Sequence, residues 1–276
     1  MDKVAKEILL RAKKDVFSGN LGNINTSFKG DGLDFSEIKE YSYGDDVRKI
    51  NWKSTAKSNE LKINIFNEER ELNIIIAFMV SGSINFGSIK LKQDIVAEIL
   101  TILSFSATKS ANRVWGMLFS DKMEKLFEPT RSESIVYDIL EESIKFDCIG
   151  KKTDFNAFCD FINGVLRRKS LIFIIGDFWE DVDLSMIAHK NEVYALIVRD
   201  RLEEYPSLNG EFEFVSPNSL NSNEFTINKE IAKRYNDLVK LKDKKLKEHF
   251  LKHQIAYGKI YTDEDVFMRL SEIIKG

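Results

Sequence analysis

The sequence predicts an α/β fold built on a mostly parallel, doubly wound sheet. Three observations predict it. Runs at 74–79, 171–175 and 193–198 are apolar at almost every position and have strand length, the pattern of strands buried on both faces. Segments with apolar residues at helical spacing alternate with these runs, as they do where helices cross between parallel strands. The 276 residues, 43% of them hydrophobic, suffice for a sizeable core.

The elements follow in order. Val4, Ile8, Leu9 and Ala12 fall on one face of an opening helix. Gly19, Gly22, Gly30 and Gly32 mark loops or turns. Leu61, Ile63, Ile65 and Phe66 read as a strand that closes a first segment, residues 1–70. The second segment, 71–276, starts near Glu71 and opens with the strand at 73–79. A loop with Ser81, Gly82, Ser83 and Gly87 follows, then a helical stripe of Leu91, Ile95, Val96, Ile99, Leu100 and Leu103. Further strands are expected at 114–119, 171–175, 193–198 and 255–261. Further helices are expected at 133–146, 154–167, 184–189, 229–253 and 263–275. No repeat of solenoid period is present.

Composition narrows the function. A net charge of −3 argues against a dedicated nucleic-acid binder, which needs excess Lys and Arg to displace counterions. Cys148 and Cys159 cannot build a disulfide framework or a zinc ribbon and are expected as buried thiols. The charged N-terminus lacks the apolar core of a signal peptide, and no apolar run reaches membrane-spanning length. A soluble, cytoplasmic protein is the expectation. His189, His249 and His253 form no catalytic set, and no phosphate-binding loop, nucleophile elbow or Ser-His-Asp order is present.

Parallel sheets place their sites beyond the carboxyl ends of the strands. Three loops there carry oxygen ligands: residues 79–83 (Met-Val-Ser-Gly-Ser), 150–154 (Gly-Lys-Lys-Thr-Asp) and 176–181 (Gly-Asp-Phe-Trp-Glu-Asp). Hydroxyls and carboxylates suit Mg²⁺. On the bland reading, Ser81 and Ser83 cap the next helix or shape the turn.

In combination and order, the loops resemble the metal-ion-dependent adhesion site of von Willebrand factor type A domains. Ser81 and Ser83 match its two serines, Thr153 its threonine and Asp177 its second aspartate. Met79 stands where that family has the leading Asp, and a thioether is a poor Mg²⁺ ligand. The resemblance thus implies a degenerate site that holds Mg²⁺ at low affinity at most.

A denser resemblance lies upstream. Gly30, Gly32, Phe35, Tyr41, Gly44, Asp45, Asp46, Arg48, Ile50, Trp52, Ala56 and Lys57 are similar to the hallmark of domain-of-unknown-function family 58. The stretch 198–206, with Arg199, Asp200, Glu203 and Pro206, is similar to that family's Arg-Asp-x-x-Glu-x-x-Pro. In the hallmark, Arg48 has carboxylates nearby in Asp45 and Asp46. Trp52 either buries against the sheet or joins Tyr41, Arg48 and Lys57 in a recognition surface. Family membership implies a bacterial partner of MoxR-type AAA+ ATPases, a non-catalytic adaptor in the maturation or assembly of protein complexes.

Two alternatives stand beside it. One is a Mg²⁺-dependent hydrolase, which needs clustered carboxylates. The other is a nucleic-acid or membrane-surface binder using the helix with Lys240, Lys242, Lys244, Lys245, Lys247 and Lys252. Ile231, Tyr235, Leu238, Leu241, Leu246 and Phe250 supply that helix's apolar positions, and a solvated outer face is the plain reading of its lysines.

Overall fold

The structure is a computed structural model that describes residues 3–18, 34–58, 60–67 and 72–275. Gly19, Gly22, Gly30, Gly32 and Glu71 lie outside the described residues. The chain forms two compact units, Met1–Ile24 with Asn73–Gly276, and Asn25–Leu72.

The large unit is an α/β layer structure. Its strands are β3 (Asn73–Met79), β4 (Arg113–Phe119), β5 (Met123–Thr130), β6 (Leu171–Gly176), β7 (Glu192–Arg199) and β10 (Ala256–Tyr261), in the sheet order β10-β7-β6-β3-β4-β5. All neighbours are parallel except β4 and β5. The apolar runs take the central places because only there are both faces covered: every residue of β6 is buried.

Helices lie on both faces. They are α1 (Lys3–Ser18), α3 (Lys92–Lys109), α4 (Ser134–Lys145), α5 (Phe155–Val165), α6 (Ser185–Ala188), α7 (Arg201–Glu204), α8 (Lys229–Lys252) and α9 (Val266–Lys275). Helix α3 is buried almost all round rather than along one stripe. The reason is that α1 and α4 pack outside it: Arg11 of α1 donates to Glu98 of α3 at 3.3 Å, and Lys13 of α1 donates to Tyr137 of α4 at 2.8 Å. The opposite face holds one apolar cluster. Ile75, Ala77 and Met79 of β3 meet Phe155 and Phe158 of α5 and Phe250 of α8 there.

Helix α8 buries Ala232, Val239, Leu246 and Phe250. Ile231, Tyr235, Leu238 and Leu241, expected among its packing positions, are instead exposed. Lys240, Lys244, Lys245, Lys247 and Lys252 face solvent, while Lys242 is half-buried and donates to the Trp179 carbonyl.

Strand β5 and the hairpin of β8 (Gly210–Val215) and β9 (Ser222–Ile227) add to the expected elements. The small unit pairs β1 (Asp34–Glu40) with β2 (Lys62–Asn67) and carries the short helix α2 (Trp52–Ser58). Among the described residues, no helix is long and apolar enough to cross a membrane.

Candidate functional site

The chain leaves β3 for β4 on one side and returns to β6 on the other. The ends of β3 and β6 therefore form the switch point of the sheet, the place where parallel sheets have their crevice. Ser81 and Ser83 follow β3, and Asp177 follows β6. Gly176 permits the close pairing there, since a Cβ on it would sit 3.0 Å from that of Met79.

These three residues converge. Ser83 Oγ donates to Asp177 Oδ2 at 2.5 Å, and Ser81 Oγ lies 2.9 Å from Ser83 Oγ and 3.3 Å from the same carboxylate oxygen. Ser81 is the N-cap of a single 3-10 turn, yet its hydroxyl makes no capping bond. The hydroxyls are committed to Asp177 instead.

Thr153 is near but differently engaged. Its hydroxyl donates to the Val80 carbonyl at 3.0 Å, which pins the loop before α5 to the end of β3. Asp154 caps α5 by accepting from the Asn156 and Ala157 amides.

The carboxylate has a further partner. Lys92, the first residue of α3, is fully buried, and its Nζ reaches Asp177 Oδ2 at 3.3 Å and Glu203 Oε1 at 2.5 Å. Burial pushes the Glu203 carboxyl up, and the Lys92 ammonium only partly offsets this.

Asp200 joins three strand ends, accepting from Ser88 N at 2.8 Å, Thr262 Oγ1 at 2.6 Å and Leu202 N at 2.8 Å. Burial works to raise its pKa, but these donors outweigh it and hold the carboxyl below its usual range. Asp200 and Glu203 also form the capping box of α7.

Arg199 is wholly buried, its guanidinium carbon 3.2 Å from the centre of the Trp179 ring. Burial lowers its pKa against the pull of Asp177 and Asp243. The stretch 199–203 therefore belongs to this cluster.

The tip of the β8–β9 hairpin closes over the first loop. Asn218 Oδ1 accepts from Ser83 N at 3.0 Å, and Pro217 O accepts from Gly150 N at 2.8 Å. A Cβ on Gly82 would lie 2.1 Å from Pro217 O, so only glycine lets the tip approach this closely.

Next to Asp177, Phe178 holds a left-handed φ of 53°. Such a conformation costs a bulky residue on the order of 1–2 kcal/mol. Packing against Phe155 and Phe250 holds it there.

The donor set fits a divalent ion poorly. Met79 is buried in the apolar cluster beneath the crevice. Asp177 Oδ2 is already shared by a seryl hydroxyl and an ammonium. Among the described residues, no group of three or more His, Cys, Asp or Glu is placed to hold a metal.

The hallmark residues sit in the small unit. Tyr41 N donates to the Leu61 carbonyl at 2.8 Å. Asp45 accepts from Ser42 N at 2.8 Å and Lys39 Nζ at 3.3 Å. Arg48 grips Asp46 through Nε at 3.0 Å and Nη2 at 2.9 Å, which holds the Asp46 carboxyl down to about 2. Trp52 is 69% exposed, and Lys57 is exposed too.

Sequence reasoning missed Lys92 and the hairpin tip. Lys92 had one readable signal, a cation in the first turn of a helix, where the dipole disfavours it. Burial raises the Cys148 and Cys159 thiols to about 12, as fits inert core thiols.

This chain belongs to the family described as "Protein of unknown function DUF58", which matches residues 37–245. Uncharacterized protein Rv1480 of Mycobacterium tuberculosis is 26% identical over 179 residues, 62% of this chain and 56% of that protein. Uncharacterized protein Mb1516 of Mycobacterium bovis matches to the same extent. The chain thus spans about half the length of these relatives. Among solved structures, the conserved hypothetical protein BatB from Bacteroides thetaiotaomicron is similar at a TM-score of 0.47 and 10% identity, over 74% of this chain and 100% of that one. An aerotolerance-related membrane protein from Bacteroides fragilis is similar at 0.45 and 14%, over 74% and 98%.

Proposed function

We propose that this chain is a non-catalytic interaction module of von Willebrand factor type A-like architecture. In this reading it works in the cytoplasm as an adaptor for a MoxR-type AAA+ ATPase during maturation or assembly of protein complexes. The observation that carries it is the contrast between the crevice and its surroundings. Inside, Ser83, Lys92, Asp177 and Glu203 satisfy one another. Around it, the loops at the carboxyl edge expose Phe86, Ile89 (69%), Leu91, Ile149 and Leu220 (61%).

Leu220 is exposed although its φ of 61° is unfavourable for a bulky side chain. Apolar side chains on a polar-centred rim suit a protein partner. Turnover of a small molecule would need a nucleophile or base within reach of a substrate. Here Ser81 and Asp177 are buried.

The test pairs a purified MoxR-type ATPase from the same source with the wild-type chain and with Ile89→Glu and Leu220→Glu. Capture by the wild type, lost in both folded variants, is the expected result. Phosphoester hydrolysis that vanishes with EDTA and with Asp177→Ala would overturn the reading in favour of an enzyme.

A further inference from the structure

We infer that Lys92 is this domain's built-in cation: its ammonium takes over, on Asp177, the charge role of a divalent ion, so the crevice works without metal. Burying an ammonium is costly unless it is paired. The first turn of a helix is a poor place for one, because the dipole there favours anions. Lys92 nevertheless sits fully buried in that position, with its Nζ against two carboxylates of the crevice, Asp177 and Glu203.

The charge count agrees. Set against a leading Asp, Met79 removes one negative charge, and Lys92 adds one positive charge. The change equals the two charges of a divalent ion, and Glu203 and Arg199 add one charge of each sign beside it. A divalent ion entering beside Lys92 would meet a like charge at short range in a buried site. It would also have to take Asp177 Oδ2 from Ser83 and Lys92. The 2.5 Å contact of Lys92 with Glu203 further ties the cation to the loop after β7. The inference concerns the cation alone and holds whether or not an ATPase is the partner.

The experiment is a Mn²⁺ titration of the full chain, followed by electron paramagnetic resonance and calorimetry. The wild type is expected to show no saturable binding up to millimolar Mn²⁺. A folded Met79→Asp/Lys92→Ala variant, with a carboxylate restored and the ammonium removed, is expected to bind one Mn²⁺, about tenfold or more tighter, with Mg²⁺ competing. Saturable binding by the wild type that Asp177→Asn removes would overturn the inference. So would a folded double variant that gains no Mn²⁺. If that variant does not fold, the wild-type titration decides: binding through Asp177 refutes the inference and its absence upholds it.

Discussion

The crevice and the hallmark segment are opposites in how their charges are held. In the hallmark, Arg48 and Asp46 are two residues apart, and the Arg48 side chain is 87% exposed. Neither the 3-10 turn at 47–49 nor α2 buries a residue. In the crevice, the contacts that join its charged groups to their partners run between distant parts of the chain: Ser83 and Asp177, Lys92 and Glu203, Ser88 and Asp200. The denser sequence motif thus makes the more local and more solvated structure. Regularity in a motif reflects short-range turn geometry as readily as burial. Exposed pairs contribute roughly 0–1 kcal/mol, whereas breaking a buried pair costs about 3–5 kcal/mol.

Substitutions sharpen this contrast. Lys92→Met should have the largest effect, a loss of about 3–5 kcal/mol in urea unfolding, because it takes from Asp177 and Glu203 the ammonium that both contact. Ser83→Ala should cost about 1–3 kcal/mol by removing the short bond to Asp177. Trp52→Ala should change stability by less than about 0.5 kcal/mol, as at an exposed position without a buried network. A loss of several kcal/mol there would dissolve the contrast.

The smallest effect is a pH dependence at His249. Its Nε2 accepts from Leu184 N at 3.1 Å, which requires neutral imidazole. Burial lowers its pKa, with His253 and Lys252 adding to the shift and Asp183 opposing it. The folded value lies below the unfolded one. The stability from this group is therefore complete above the ordinary imidazole range and is lost as pH falls through the depressed value. Thermal melts of wild type and His249→Gln should converge on acidification.

Much of the fold was legible because central strands must be apolar throughout. The runs at 74–79, 171–175 and 193–198 became β3, β6 and β7 within a residue or two. Strand β5 was not, since an antiparallel edge strand carrying Glu124, Lys125 and Pro129 lacks that pattern. Glu211, Phe212, Glu213 and Phe214 do alternate at strand period in β8, a signal that was there to read.

Ser81, Ser83 and Asp177 were legible as neighbours because strand ends in a parallel sheet share one edge. The contacts that Lys92, Glu203 and Asn218 make there were not. Their role depends on which side chain crosses the crevice, and spacing along the chain does not encode that.

Hydrogen–deuterium exchange of the chain, with and without a MoxR-type ATPase, compares the two regions most directly. Protection is expected at residues 81–91, 148–153 and 216–221, the rim of the crevice. Protection confined to residues 41–58, with those loops exchanging unchanged, would contradict it and move the partner contact to the hallmark.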